Sequence, residues 1–66
     1  MIRVLAPGVA PQMLSYVPDM TAGMALGQVS ANPAHLQITV NGRRAHESTP
    51  VHPGTTVGLQ PLGNLG

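Results

Sequence analysis

Leu36-Gln37-Ile38-Thr39-Val40-Asn41-Gly42-Arg43-Arg44-Ala45-His46 is the stretch on which the reading of this chain turns. Leu36, Ile38 and Val40 alternate with Gln37 and Thr39, and the run is rich in β-branched residues. It predicts a strand with its apolar side chains toward a core. Asn41-Gly42 follows at once. A type I′ turn needs positive φ at both central positions, which Asn and Gly tolerate best, so the pair predicts a hairpin returning through Arg43 to His46.

Working outward, Ile2 to Ala6 alternates in the same way and predicts a first strand, with Arg3 and Leu5 on the face opposite Ile2 and Val4. Pro7-Gly8 is a turn signal, and Val9 to Val17 predicts a second strand antiparallel to the first. Pro11 cannot donate to a ladder and belongs at an edge or an entry bend. Pro18-Asp19 closes that strand, and Asp19 is the expected N-cap of a short helix from Met20 to about Val29. Met20 and Met24 would share its apolar face with Ala25 and Leu26, while Gly23 and Gly27 each weaken it by about 1 kcal/mol relative to Ala. Ala31-Asn32-Pro33 is a break. Beyond the hairpin, Glu47 to Gly54 predicts an irregular loop, and Thr55 to Leu62 a last strand with Val57, Leu59 and Pro61 on one face. The expected order is strand, strand, helix, strand, strand, strand in a single domain over residues 1–62, with residues 63–66 as a flexible tail.

A chain of 66 residues accommodates one small domain. Only 8% of it is charged and 2% aromatic, so the core must be built from Val, Leu, Ile, Met and Ala. Cysteine is absent, which excludes disulfides, thiolate metal sites and a cysteine nucleophile. Arg3, Arg43 and Arg44 against Asp19 and Glu47 leave a net charge of +1, and there is no lysine. Three arginines make no phosphate-binding stripe and Tyr16 alone no stacking platform, so no nucleic-acid partner is expected. The apolar N-terminal run is broken by Pro7-Gly8, too early for a signal or spanning segment. The expectation is a soluble cytoplasmic protein with no membrane association. So uncharged a surface is poorly protected against association, and a protein partner or homo-oligomer fits it.

Catalysis has little to work with. Asp19 and Glu47 are the only carboxylates and fall in different loops, and Ser48 beside His46, His52 and Glu47 lacks a nucleophile-elbow pattern. No catalytic residue, and hence no enzyme, is expected. His35, His46 and His52 are spaced 11 and 6 positions apart, unlike metal-ligand pairs, so neither a metal nor another cofactor is expected. Met13, Met20 and Met24 are read as core filling, the alternative being an adaptable binding surface. Arg43-Arg44 is read as a solvated pair, the alternative being contact with an acidic partner.

The order of elements, at this length, resembles the ubiquitin-like β-grasp fold and, more closely, its small sulfur carriers of the ThiS and MoaD type, which implies an α+β domain with a mixed sheet of four to five strands and one short helix. Ile2-Arg3-Val4-Leu5 looks like the family's first strand, and Thr21-Ala22-Gly23-Met24-Ala25-Leu26 like the start of its helix. Ile38-Thr39-Val40-Asn41-Gly42 is similar to its V-x-V-N-G segment. Thr49 to Pro61 tracks its T-x-L-x-x-G-D-x-V-x-L-x-P stretch, with Thr55 in the acidic place. The resemblance implies a carrier or protein modifier whose C-terminal carboxylate, at Gly66, is adenylated by an E1-like enzyme, with Gly63, Asn64 and Leu65 as the tail threaded into that enzyme. The family's tail ends Gly-Gly, where this chain has Leu65-Gly66. The alternative reading is a small non-enzymatic structural or interaction module, such as a virion or assembly component.

Overall fold

The computed structural model describes residues 1–31 and 36–61. In chain order the elements are β1 (Ile2–Leu5), β2 (Gln12–Leu14), α1 (Ala22–Gln28), β3 (Leu36–Val40), β4 (Arg43–Arg44) and β5 (Thr56–Pro61). The β3–β4 hairpin forms at the predicted turn, but its return strand is confined to Arg43–Arg44 rather than running to His46. Asn41 and Gly42 take φ of 52° and 81°, the two positive values a type I′ turn requires. Asn41 also ties the turn to the sheet, because its side-chain oxygen accepts from the Thr56 N–H at 2.9 Å while its own N–H donates to the Thr56 carbonyl at 2.8 Å.

β1 shows the expected alternation, Ile2 and Val4 buried and Arg3 and Leu5 exposed. A turn over Ala6-Pro7-Gly8-Val9 follows, closed by the Val9 N–H on the Ala6 carbonyl at 3.3 Å, with Gly8 at φ 76°. Proline followed by positive-φ glycine is the type II pattern. The return strand pairs antiparallel with β1, Arg3 opposite Met13, but it is confined to Gln12–Leu14 rather than Val9 to Val17. Turns take up both ends. Val9 belongs to the first, and Val17 accepts from the Met20 N–H at 3.1 Å in a second turn through Pro18 and Asp19.

That second turn moves the start of the helix. Asp19 sits at φ 64°, at the corner of the turn, and does not cap α1. Thr21 is the N-cap, extended at φ −116° and ψ 166°, its hydroxyl accepting from the Met24 N–H at 3.3 Å. Carbonyls of the loop between β4 and β5 take two further free amides of the first turn, Ala22 N–H donating to Thr49 at 2.9 Å and Gly23 N–H to Glu47 at 2.8 Å. Met20 lies before the helix and is fully buried, whereas Met24 points outward and is 47% exposed, so the two do not share a face. The helix ends in a Schellman motif. Ala31 N–H reaches the Leu26 carbonyl at 3.0 Å and Ser30 N–H the Gly27 carbonyl at 3.2 Å, with Ser30 at φ 57° where glycine is usual.

The loop between β4 and β5 is irregular, as expected, but not loose. His46 N–H donates to Thr49 Oγ1 at 2.9 Å while Thr49 N–H donates back to the His46 carbonyl at 3.1 Å. His52 and Thr55 repeat the arrangement at 3.0 Å in both directions. Between these two brackets Val51 is buried and its N–H donates to the Met20 carbonyl at 3.0 Å.

The strands form one mixed sheet in the order β2-β1-β5-β3-β4. β5 is central, parallel to β1 and antiparallel to β3, with Val57 opposite both Val4 and Val40. Ala22, Ala25 and Leu26 of α1 pack with Ile2, Val4, Ile38, Val57 and Leu59 from one face of the sheet. The result is an α+β domain with a five-stranded mixed sheet and one short helix.

Candidate functional site

The expected tail, Gly63, Asn64, Leu65 and Gly66, lies outside the described residues, as do Leu62 and His35. The described chain ends at Pro61, the last residue of the central strand, opposite Leu36 of β3. β1 and β5 are parallel, so the ends of both strands lie together. A groove of about 240 Å³ opens there between the β1–β2 connection and the residues that follow α1. Val4, Ala6, Val9, Val29, Leu36 and Leu59 give it apolar walls, and no titratable side chain is among its described lining residues. It offers van der Waals contact to an apolar group and no acid–base chemistry.

The second candidate surface is the sheet face that α1 does not cover. Alternation along the strands and the pairing register place Met13, Arg3 and Thr56 in one row across β2, β1 and β5. Leu5, Gly58, Thr39 and Arg44 form the next row across β1, β5, β3 and β4. Gln60 and Gln37 face each other beyond them. Leu5 and Met13 are 39% and 52% exposed, so this face carries apolar side chains that the domain's own core does not use. Gly58 sits in the middle with no side chain and is buried, as is Thr39 beside it, whose Oγ1 lies 2.7 Å from where a Gly58 Cβ would be. The middle of the face is closed, and Arg3 and Arg44 are exposed on either side of it.

Met13 was expected to fill the core; instead it stands on the open face, because β2 is an edge strand and its Gln12 and Leu14 take the other side. Two signals pointed to this surface: the outward alternation of Arg3 and Leu5, and the lone glycine inside the last strand pattern, a mark of close approach. Arg43 and Arg44 are both exposed on β4, and the pleat directs only Arg44 to the open face. Neither carboxylate is on that face. Asp19 is in the turn before α1, and the Glu47 backbone and Cβ pack against Gly23. Among the described residues no three His, Asp or Glu side chains come together in a way that could hold a metal, and no helix is long and apolar enough to cross a membrane.

No protein-family model, curated protein or solved structure matches the chain.

Proposed function

We propose that the domain is a β-grasp of the ubiquitin-like kind and that it works as a small carrier or modifier activated at Gly66. The strand order carries this reading. A parallel β1–β5 pair at the centre, flanked by two antiparallel hairpins and backed by one helix, is the arrangement that the resemblance of the Ile2-Arg3-Val4-Leu5 and V-x-V-N-G-like segments implies. It ends the described chain at Pro61 on the central strand, beside an apolar groove.

In this reading the Gly66 carboxylate attacks the α-phosphorus of ATP and pyrophosphate leaves. The resulting acyl-adenylate then passes to sulfide or an amine with release of AMP. An E1-like enzyme supplies the adenylating site, and the domain supplies the docking surface and the small-residue end, since residues without bulky side chains pass closest to a nucleotide. ATP–pyrophosphate exchange with E1-like enzymes of the source organism, dependent on this protein and lost on deletion of residues 63–66, is the expected result. Exchange that never occurs, together with an unmodified intact mass, would sink it.

The exposed Leu5 and Met13 favour a second reading, a non-enzymatic interaction or assembly module that uses the open face alone. That module would keep its function when residues 63–66 are deleted.

A further inference from the structure

The β3–β4 turn carries a reactive dipeptide as well as a hairpin. A backbone nitrogen that follows asparagine can attack the side-chain carboxamide and close a five-membered imide, and glycine hinders that attack least because it has no side chain. Asn41 is the asparagine of this chain best placed for it. Asn32 precedes Pro33, whose nitrogen has no hydrogen to lose, and Asn64 precedes the bulky Leu65. Asn41 and Gly42 are both exposed, so water reaches them, and no described atom lies within 4 Å of where a Gly42 Cβ would be.

The native turn opposes the reaction. With φ of 52° and 81° the pair forms a type I′ turn, whose first central residue has ψ of about +30°. That torsion points the Gly42 nitrogen almost directly away from the Asn41 Cβ, whereas ring closure needs the two on the same side. Thr56 adds a second restraint, its N–H holding Asn41 Oδ1 at 2.9 Å. The attacking geometry is reached only when the Asn41–Gly42 peptide swings round and β4 parts from β3. β4 is short and lies at the sheet edge, held by Arg43 opposite Val40, Arg44 opposite Thr39 and the Ala45 N–H on the Ile38 carbonyl at 2.9 Å. Short edge elements of this kind open locally, below the free energy of global unfolding.

We propose that Asn41 is a self-modification site, deamidated by attack of the Gly42 nitrogen when the β3–β4 hairpin opens. The Gly42 nitrogen loses its proton and bonds to Asn41 Cγ, the Cγ–Nδ2 bond breaks, and Nδ2 leaves with a proton as ammonia. Water then opens the imide at one of its two carbonyls. Opening at Cγ gives aspartate, whose oxygen keeps the place of the acceptor for the Thr56 N–H. Opening at the main-chain carbonyl gives isoaspartate, which lengthens the backbone of the turn by one carbon and upsets the register of β4. Either product adds a carboxylate beside Arg43 and cancels the formal net charge of +1, which favours association. The inference goes beyond the carrier reading, since a carrier and an assembly module would bear the same turn.

Incubation of the full chain at mildly alkaline pH, with peptide mapping that separates isoaspartyl from aspartyl products, tests it. Both should appear at Asn41 over weeks in the folded protein, about ten- to a hundredfold more slowly than in the same chain unfolded by urea. Gln37→Ala removes the side chain whose Nε2 donates to the Ala45 carbonyl at 3.3 Å, and it should speed the folded reaction about threefold or more. Urea below the unfolding transition should speed it as well, and replaces that variant if it does not fold. In the purified isoaspartyl chain the Ala45 amide should exchange with solvent at least about tenfold faster than in Asn41→Asp, which keeps the normal backbone. No product from the folded chain, equal rates folded and unfolded, or no acceleration by either perturbation would overturn the proposal. So would aspartate without isoaspartate, earlier conversion at Asn64, or equal exchange at Ala45.

Discussion

Thr39 Oγ1 stands 2.7 Å from the point where a Cβ on Gly58 would lie, and the two residues are register partners on β3 and β5. A side chain cannot be added at Gly58 unless Thr39 moves, and a β-branched side chain has little freedom to do so. Gly58→Ala should destabilise the domain by about 1–3 kcal/mol. Combined with Thr39→Ala, which removes the obstructing hydroxyl, the loss should be smaller than the sum of the two single effects. Urea denaturation of the four proteins measures the coupling, and strict additivity would refute the contact.

The two glycines of α1 should respond with opposite signs. A Cβ at Gly23 would lie 3.0 Å from both the Cβ and the carbonyl oxygen of Glu47, the carbonyl that Gly23 N–H binds. Gly27 has nothing within 4 Å of such an atom. Gly27→Ala should therefore stabilise by roughly 0.5–1 kcal/mol through helix propensity. Gly23→Ala should forfeit that gain and destabilise by about 1 kcal/mol, because the Glu47 backbone must give way. Thermal melts of both variants decide the matter.

Met20 and Met24 are four residues apart and should behave unlike each other. Met20 is fully buried before the helix, so Met20→Ala should remove about 2–4 kcal/mol, a large share of the stability of so small a domain. Met24→Ala at an outward position should fall within about 0.5 kcal/mol of the parent in the same denaturation assay.

The paired His–Thr brackets predict unequal effects as well. Thr55 is buried, and Thr55→Val keeps its shape while leaving the His52 N–H without its acceptor. A loss of about 1–2 kcal/mol is expected. Thr49→Val should lose less, since its bond to the His46 N–H is exposed and water can replace it. Faster amide exchange at His52 in the first variant and at His46 in the second would localise each change.

Much of this was legible from local signals. Leu36 to Gly42 specified its hairpin because period-two alternation and the Asn-Gly turn are both encoded within a few residues. Asp19 misled, since an acidic residue before an apolar run suits a helix cap and a turn corner equally; what separates the two roles is the burial of Met20, a tertiary fact. The second strand was read too long because nothing local says where a turn ends a ladder. The parallel pairing of β1 with β5 joins residues more than fifty positions apart and leaves no local trace, so periodicity and turn signals cannot show it. The repeated H-x-x-T at His46–Thr49 and His52–Thr55 was present in the sequence, and its geometry becomes legible only once the reciprocal bonds are seen. Of the candidate sites, the tail rests on its sequence alone, whereas the open face follows from strand alternation and register together.

The strand on which the sheet is centred is also the one the ribosome makes last among the five. β5 supplies Val57 and Leu59 to the core and, among the described strands, is the one that joins the β1–β2 hairpin to the β3–β4 hairpin. Until it emerges, the nascent chain holds two hairpins with no shared sheet and a helix with little to lie against. Folding is thus postponed until β5 has been made, and the apolar residues of the earlier strands wait unprotected for their last neighbour. A domain with so few charges and a late-closing core places its greatest demand on the cell before β5 is made.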